Sequence, residues 1–105
     1  MTVLVFGYLR FPPECLEMVK PHLRNLVQAT RKHDNCIAYD VAEDMFEPGL
    51  IRFSERWPNA EALAAHLRAD HIAPWRAVCA EFGLIERSFT AFDAASPRPI
   101  WPGPR

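Results

Sequence analysis

A chain of 105 residues, half of them hydrophobic and 24% charged, holds one core and excludes a second. Its 12 Lys and Arg are dispersed among 13 Asp and Glu for a formal charge of −1, which excludes the basic stripe needed to bind a nucleic-acid backbone. No run approaches the ~18–20 apolar residues of a membrane span, and Met1 leads into strand-like sequence without a charged leader, so a cytoplasmic protein with neither membrane nor nucleic acid as partner is expected.

Thr2 to Phe11 is rich in β-branched and aromatic residues and stops at Pro12-Pro13, the composition of a strand closed by a chain breaker. From Glu14 to about Lys32, Leu16, Val19, Leu23, Leu26, Val27 and Thr30 recur at steps of three and four, the stripe of an amphipathic helix. Pro21 removes a backbone donor and crowds the preceding turn, so a kink is expected there, or a break with Pro21 opening a second segment. His33-Asp34-Asn35 supplies a polar turn in which Asn35 takes the left-handed conformation.

Cys36 to Asp44 alternates, with Ile37, Tyr39 and Val41 on one face. Leu50 to Trp57 repeats the pattern through Ile51, Phe53 and Trp57, and Glu47-Pro48-Gly49 joins the two strands as a hairpin. Pro58-Asn59 starts a helix whose expected buried stripe is Ala60, Leu63, Ala64 and Leu67. After His71, Ile72, Trp75, Cys79 and Phe82 form a second stripe that Gly83 ends. Leu84 to Asp93 reads as a fourth strand. Pro97, Pro99, Pro102 and Pro104 then fix too many φ angles for a regular element. Residues 1–95 are therefore expected as the domain and residues 96–105 as a proline-rich arm or disordered tail.

The order β-α-β-β-α-β, with the second helical region split near Asp70-His71, is the α+β ferredoxin-like arrangement of one four-stranded antiparallel sheet with helices on one face. The first strand carries Val3, Val5, Leu9 and Phe11 on one side and Leu4, Phe6 and Tyr8 on the other. Helices cover one side only, so the second is expected to meet another copy of the chain, giving a homodimer through the open sheet face. Cys15, Cys36 and Cys79 are odd in number and widely spaced, which suits apolar packing in a reducing compartment better than disulfides or a zinc knuckle.

Residue types that carry chemistry are densest at Glu55-Arg56-Trp57 and at Leu63, His66 and His71. With the Asn35-Cys36-x-x-Tyr39 start of the second strand, the Glu55-x-Trp57 end of the third and Leu63-x-x-His66-x-x-x-x-His71, the chain resembles the antibiotic biosynthesis monooxygenase family, in its quinol-monooxygenase-like branch of the dimeric α+β barrels. The likeness spans about residues 2–93, with Asn35 in place of the usual Gly and Pro21 inside a helix often continuous in that family. It implies a homodimer with a pocket between sheet and helices in each subunit, and in some members oxidation of a small aromatic by O₂ with no metal and no cofactor. A deprotonated phenol or hydroquinone is electron-rich enough to give an electron to O₂. Such a protein need supply only an apolar pocket, a base and donors for the resulting anion.

His66 and His71 are the candidate bases, and Tyr39 is a candidate donor to a ligand oxygen. Each also has a plain structural reading, as a cap, a backbone hydrogen bond or a core ring. On an uninterrupted helix five residues turn the side-chain direction by about 140°, so the two imidazoles are not expected to share a metal; a break near Asp70 would redirect His71 to line the pocket or to cap the next helix. Ile51, Phe53, Trp57 and Trp75 are expected to wall the pocket with Glu55, whose carboxylate shares their face. For Glu55 an ion pair with Arg52, Arg56 or Arg87, or a dimer contact, is preferred to an acid-base role. Haem degradation is disfavoured: that branch, aligned by the resemblance, needs an Asn on the first strand and a His where Arg76 stands. The alternative to an enzyme is a dimeric module that binds a small aromatic ligand without turning it over.

Overall fold

In a computed structural model that describes residues 1–101, the elements run β1 (Thr2–Arg10), a single 3₁₀ turn (Pro13–Cys15), α1 (Leu16–His33), β2 (Ala38–Glu43), β3 (Leu50–Trp57), α2 (Ala60–Leu67), α3 (Ile72–Glu81) and β4 (Glu86–Ala94). All strands pair antiparallel in the order β2-β3-β1-β4, the ferredoxin-like sheet that the alternating segments predict. No helix among the described residues is long and apolar enough to cross a membrane. Expected residues 102–105 of the tail lie outside the described residues, while Ile100 and Trp101 are exposed.

Period-two alternation decides which side chains meet the helices. Val3, Val5 and Leu9 of β1 and Ile51, Phe53, Glu55 and Trp57 of β3 are buried on one face, against Val19 and Leu26 of α1 and Ile72 and Cys79 of α3. Gly7 holds a special place in this layer. A Cβ there would stand 2.2 Å from Cδ1 of Phe89, so the missing side chain is what lets that ring lie across β1 and reach Phe53, centroid to centroid 5.2 Å.

The opposite sheet face carries Phe6 and Phe92, each half exposed, with ring centroids 6.1 Å apart. Leu4 pairs with Phe92 in the β1–β4 register and Tyr8 with Ser88, so an apolar strip runs along the middle of a face otherwise set with Arg52, Arg56 and Asp40. No helix among the described residues covers it, as the two-sided composition of β1 predicts.

Two expectations are corrected in the helices. Of the kink or break expected at Pro21, the break does not occur: α1 continues from Leu16 to His33. The bond it forfeits falls between two exposed residues, Glu17 and Pro21, where water can take the orphan carbonyl. In α2, Asn59 caps the helix by accepting from the Ala62 amide at 2.8 Å as predicted, but the face turned inward is Ala62, Leu63 and His66, and Leu67 is 51% exposed. Gly83 (φ +71°) ends α3 and Asn35 (φ +60°) reverses the chain after α1, both as the sequence predicts.

Candidate functional site

The last turn of α1 delivers a carboxylate to the helix layer. Asp34 caps that helix through its backbone amide, bonded to the Thr30 carbonyl at 3.1 Å, and left-handed Asn35 turns the chain away toward β2. Between α2 and α3 the backbone tightens into successive three-residue turns, with Arg68 bonded to Ala65, Ala69 to His66 and Ile72 to Ala69. That break redirects His71. Instead of diverging, both imidazoles converge on one atom: His66 Nδ1 lies 2.6 Å and His71 Nε2 2.7 Å from Asp34 Oδ2.

An ionised carboxylate only accepts, so each of those nitrogens carries its proton when both rings are neutral. His66 Nε2 is then left with a free lone pair. His66 is 4% exposed, its ring 4.7 Å from that of Trp57 and 5.4 Å from that of Tyr39. Burial holds its pKa below the usual histidine range, against the opposing hydrogen bond and charge of Asp34 and with a further push down from His71. The group is therefore a neutral acceptor at neutral pH.

His66 also forms part of the wall of a cavity of about 610 Å³ between the sheet and α2–α3, together with Tyr39, Phe53, Glu55 and Trp75. Trp57, expected in this wall, is instead fully enclosed. Ile51 faces a separate hollow of about 410 Å³ beneath α1, and His71 lies outside the cavity, so its contribution passes through Asp34. Desolvation raises the pKa of the buried Tyr39 hydroxyl, with the charge of Glu55 adding to it, which keeps that group a neutral donor.

Glu55 differs from its expected ion pairing. None of Arg52, Arg56 and Arg87 meets it; Arg52 binds Asp44 at 2.8 Å, and the partner of Glu55 Oε1 is the indole Nε1–H of Trp57, two residues along the same face, at 2.9 Å. Alternation sends Arg52 and Arg56 to the other side of the sheet, and Arg87 pairs with Leu9, four residues along β1 from the Val5–Glu55 row. With no cation among the described residues beside it, desolvation raises the Glu55 pKa to about 6 against the pull of Trp57.

Asp34, His66 and His71 are also the described side chains whose donor atoms, within 4.8 Å of one another, could hold a metal ion. Two ligands on a tetrahedral zinc at ~2.1 Å stand ~3.4 Å apart, so contacts of 2.6 and 2.7 Å fit shared protons better, and a cation would have to spread the three groups. Sequence reading missed Asp34, which lies 32 and 37 residues from its partners and carries no local signal beyond a turn. It also gave Arg76 and Arg87 no place in the cavity, whose opposite end they line.

Comparison with known proteins agrees with this architecture. No curated protein sequence matches the chain. A candidate antibiotic biosynthesis monooxygenase from Deinococcus radiodurans has a solved structure that aligns at 28% identity and a TM-score of 0.86, over 93% of this chain and 97% of that one. A second solved structure, of an antibiotic biosynthesis monooxygenase, aligns at 29% identity and a TM-score of 0.81, over 90% of this chain and 99% of that one. A protein of unknown function from Bacteroides thetaiotaomicron aligns at 27% identity and a TM-score of 0.76, over 87% and 95% of the two chains. The family model for antibiotic biosynthesis monooxygenase matches residues 2–78, across β1 to most of α3, and on that match the chain belongs to the antibiotic biosynthesis monooxygenase family.

Proposed function

We propose that the protein is a monooxygenase that oxidises a small aromatic substrate of the quinol or polyphenol class with O₂, in the cavity between sheet and helices and without a metal or organic cofactor. The observation that carries this reading is the state of His66: a desolvated imidazole on the wall of an apolar cavity, its Nδ1 proton tied to Asp34 and its Nε2 free to accept. In this reading His66 removes the hydroxyl proton. The phenolate then gives electrons to O₂; one oxygen atom becomes bonded to a ring carbon, the other leaves as water with the ring hydrogen and the hydroxyl proton, and all four electrons come from the substrate.

Tyr39 donates to the anion that develops, and His71 acts as a positioning residue that holds Asp34. The exposed strip around Phe6 and Phe92 supports a homodimer through the open sheet face. Three free cysteines fit a reducing compartment such as the cytoplasm. A binding module without turnover would need no base in the cavity wall, and His66 stands there.

The test is oxygen consumption by metal-free protein supplied with quinols and polyphenols, autoxidation subtracted. His66→Ala is expected to abolish the enzymatic uptake, and His71→Ala to lower it while leaving a measurable rate. Absence of uptake above autoxidation across the substrate set, with ligand binding retained, would establish the binding module instead.

A further inference from the structure

The two ends of the cavity carry opposite charge. The strand register fixes which end is which. Tyr39 and Glu55 face one another across β2 and β3 in the row of Val5, whereas Arg87 of β4 lies in the row of Leu9. Those rows are four residues apart on β1, about 13 Å along the strands, and β4 lies two strands from β3, about 10 Å across. Asp34 and His66 belong to the Glu55 end, since the His66 ring rests on Trp57 and Tyr39. Arg76 belongs to the Arg87 end: both line the main cavity and a second hollow of about 430 Å³ beside it, at the C-terminal half of α3, where the Leu84 amide bonds Cys79 and Ile85 bonds Arg10.

Neither guanidinium meets a carboxylate among the described residues, although Arg10, Arg31 and Arg52 all do. Two exposed cations with no carboxylate partner among the described residues thus stand at the solvent side of a largely apolar chamber whose inner end carries the Glu55 carboxyl group, with Asp34 behind His66. An anionic group on a guest is repelled from the Asp34 and Glu55 end and attracted to the other, while a neutral hydroxyl suits the end that holds His66 and Tyr39.

We infer that the substrate is a phenolic acid, an aromatic with a hydroxyl at one end, delivered to His66, and a carboxylate at the other, held by Arg76 and Arg87. This rests on the reading of the cavity as an aromatic-binding site and adds the charge and direction of its guest. The two cations act as the specificity determinant, because they fix which end of the molecule reaches the base.

The probes are para-coumarate and its methyl ester, which share ring, hydroxyl and side-chain skeleton and differ in one charge and one methyl group. Binding is read by calorimetry on the whole chain, with no need for turnover. The wild type is expected to bind the acid roughly tenfold or more tighter than the ester at low salt, with a preference that shrinks as salt rises. Arg76→Gln combined with Arg87→Gln is expected to erase that preference and leave the affinity for the ester within about twofold, since neither side chain makes an ion pair among the described residues that folding would miss. Equal affinity for acid and ester in the wild type, or equal weakening of both in the variant, overturns the inference. Failure of the oxidation reading looks different: the charge preference is retained and no oxygen above autoxidation is consumed with any quinol or polyphenol, with or without a carboxylate.

Discussion

Asp34 Oδ2 stands 2.6 Å from His66 Nδ1, a contact that links the end of the first helix to the second across 32 residues. Because this carboxylate raises the His66 pKa while burial lowers it, Asp34→Asn removes the opposing charge and leaves burial in control. The rate with a quinol is expected to fall about a hundredfold as tautomer control is lost. Its rise with pH, which in the wild type occurs below the usual histidine value of ~6.5, should shift to still lower pH. A pH–rate profile separates this from simple damage, which would lower the plateau and leave the midpoint where it was.

Glu55 supplies a prediction about stability. Its carboxyl titrates at about 6 in the fold against an ordinary 4.5, so between those values the folded chain binds more protons than the unfolded one, and stability falls as pH rises through that window. Glu55→Gln keeps an acceptor for the Trp57 indole and removes the charge. Chemical denaturation should find the variant equal to the wild type near the lower value and more stable by up to about 2 kcal/mol at neutral pH. A difference that does not vary with pH would show that the carboxylate is solvated through the cavity.

The hydrogen-bond lengths around Asp34 lead to an expectation about metals. Protein stripped with a chelator should keep its oxygen uptake, and added zinc should inhibit by displacing the shared protons and occupying the groups that hold His66. Loss of activity on chelation, restored by one divalent metal, would instead make Asp34, His66 and His71 its ligands.

Phe6 offers a test of assembly. It is half exposed on the uncovered sheet face beside Phe92, so Phe6→Asp removes nothing from the core. Sedimentation velocity is expected to show a dimer for the wild type at micromolar concentration and a monomer for the variant, with the far-ultraviolet circular dichroism unchanged. A wild-type monomer would mean that this strip is left to solvent.

The sheet was legible because alternation is a local property: Val3, Val5 and Leu9, or Ile51, Phe53 and Trp57, declare their shared face within a few residues, and the turn residues Asn35, Gly49 and Gly83 adopt the positive φ their positions require. The site was legible only in part. His66, Tyr39, Glu55, Phe53 and Trp75 could be picked out by type and phase, but the inward face of α2 could not, because a hydrophobicity stripe cannot anticipate a buried imidazole whose acceptor lies on another helix. Glu55 shows the same limit. Its face followed from the strand period, while its partner was a neighbouring indole rather than an arginine, a matter of side-chain reach that spacing does not record.

The absent side chain of Gly7 has a use beyond packing. The Phe89 ring that fills its place sits in the cross-strand row midway between those of Glu55 and Arg87 and forms part of the cavity wall, one aromatic plane leaning into a notch. Bore and polar lining are thereby separable: trimming Phe89 is expected to widen the cavity while leaving His66, Asp34, Arg76 and Arg87 untouched.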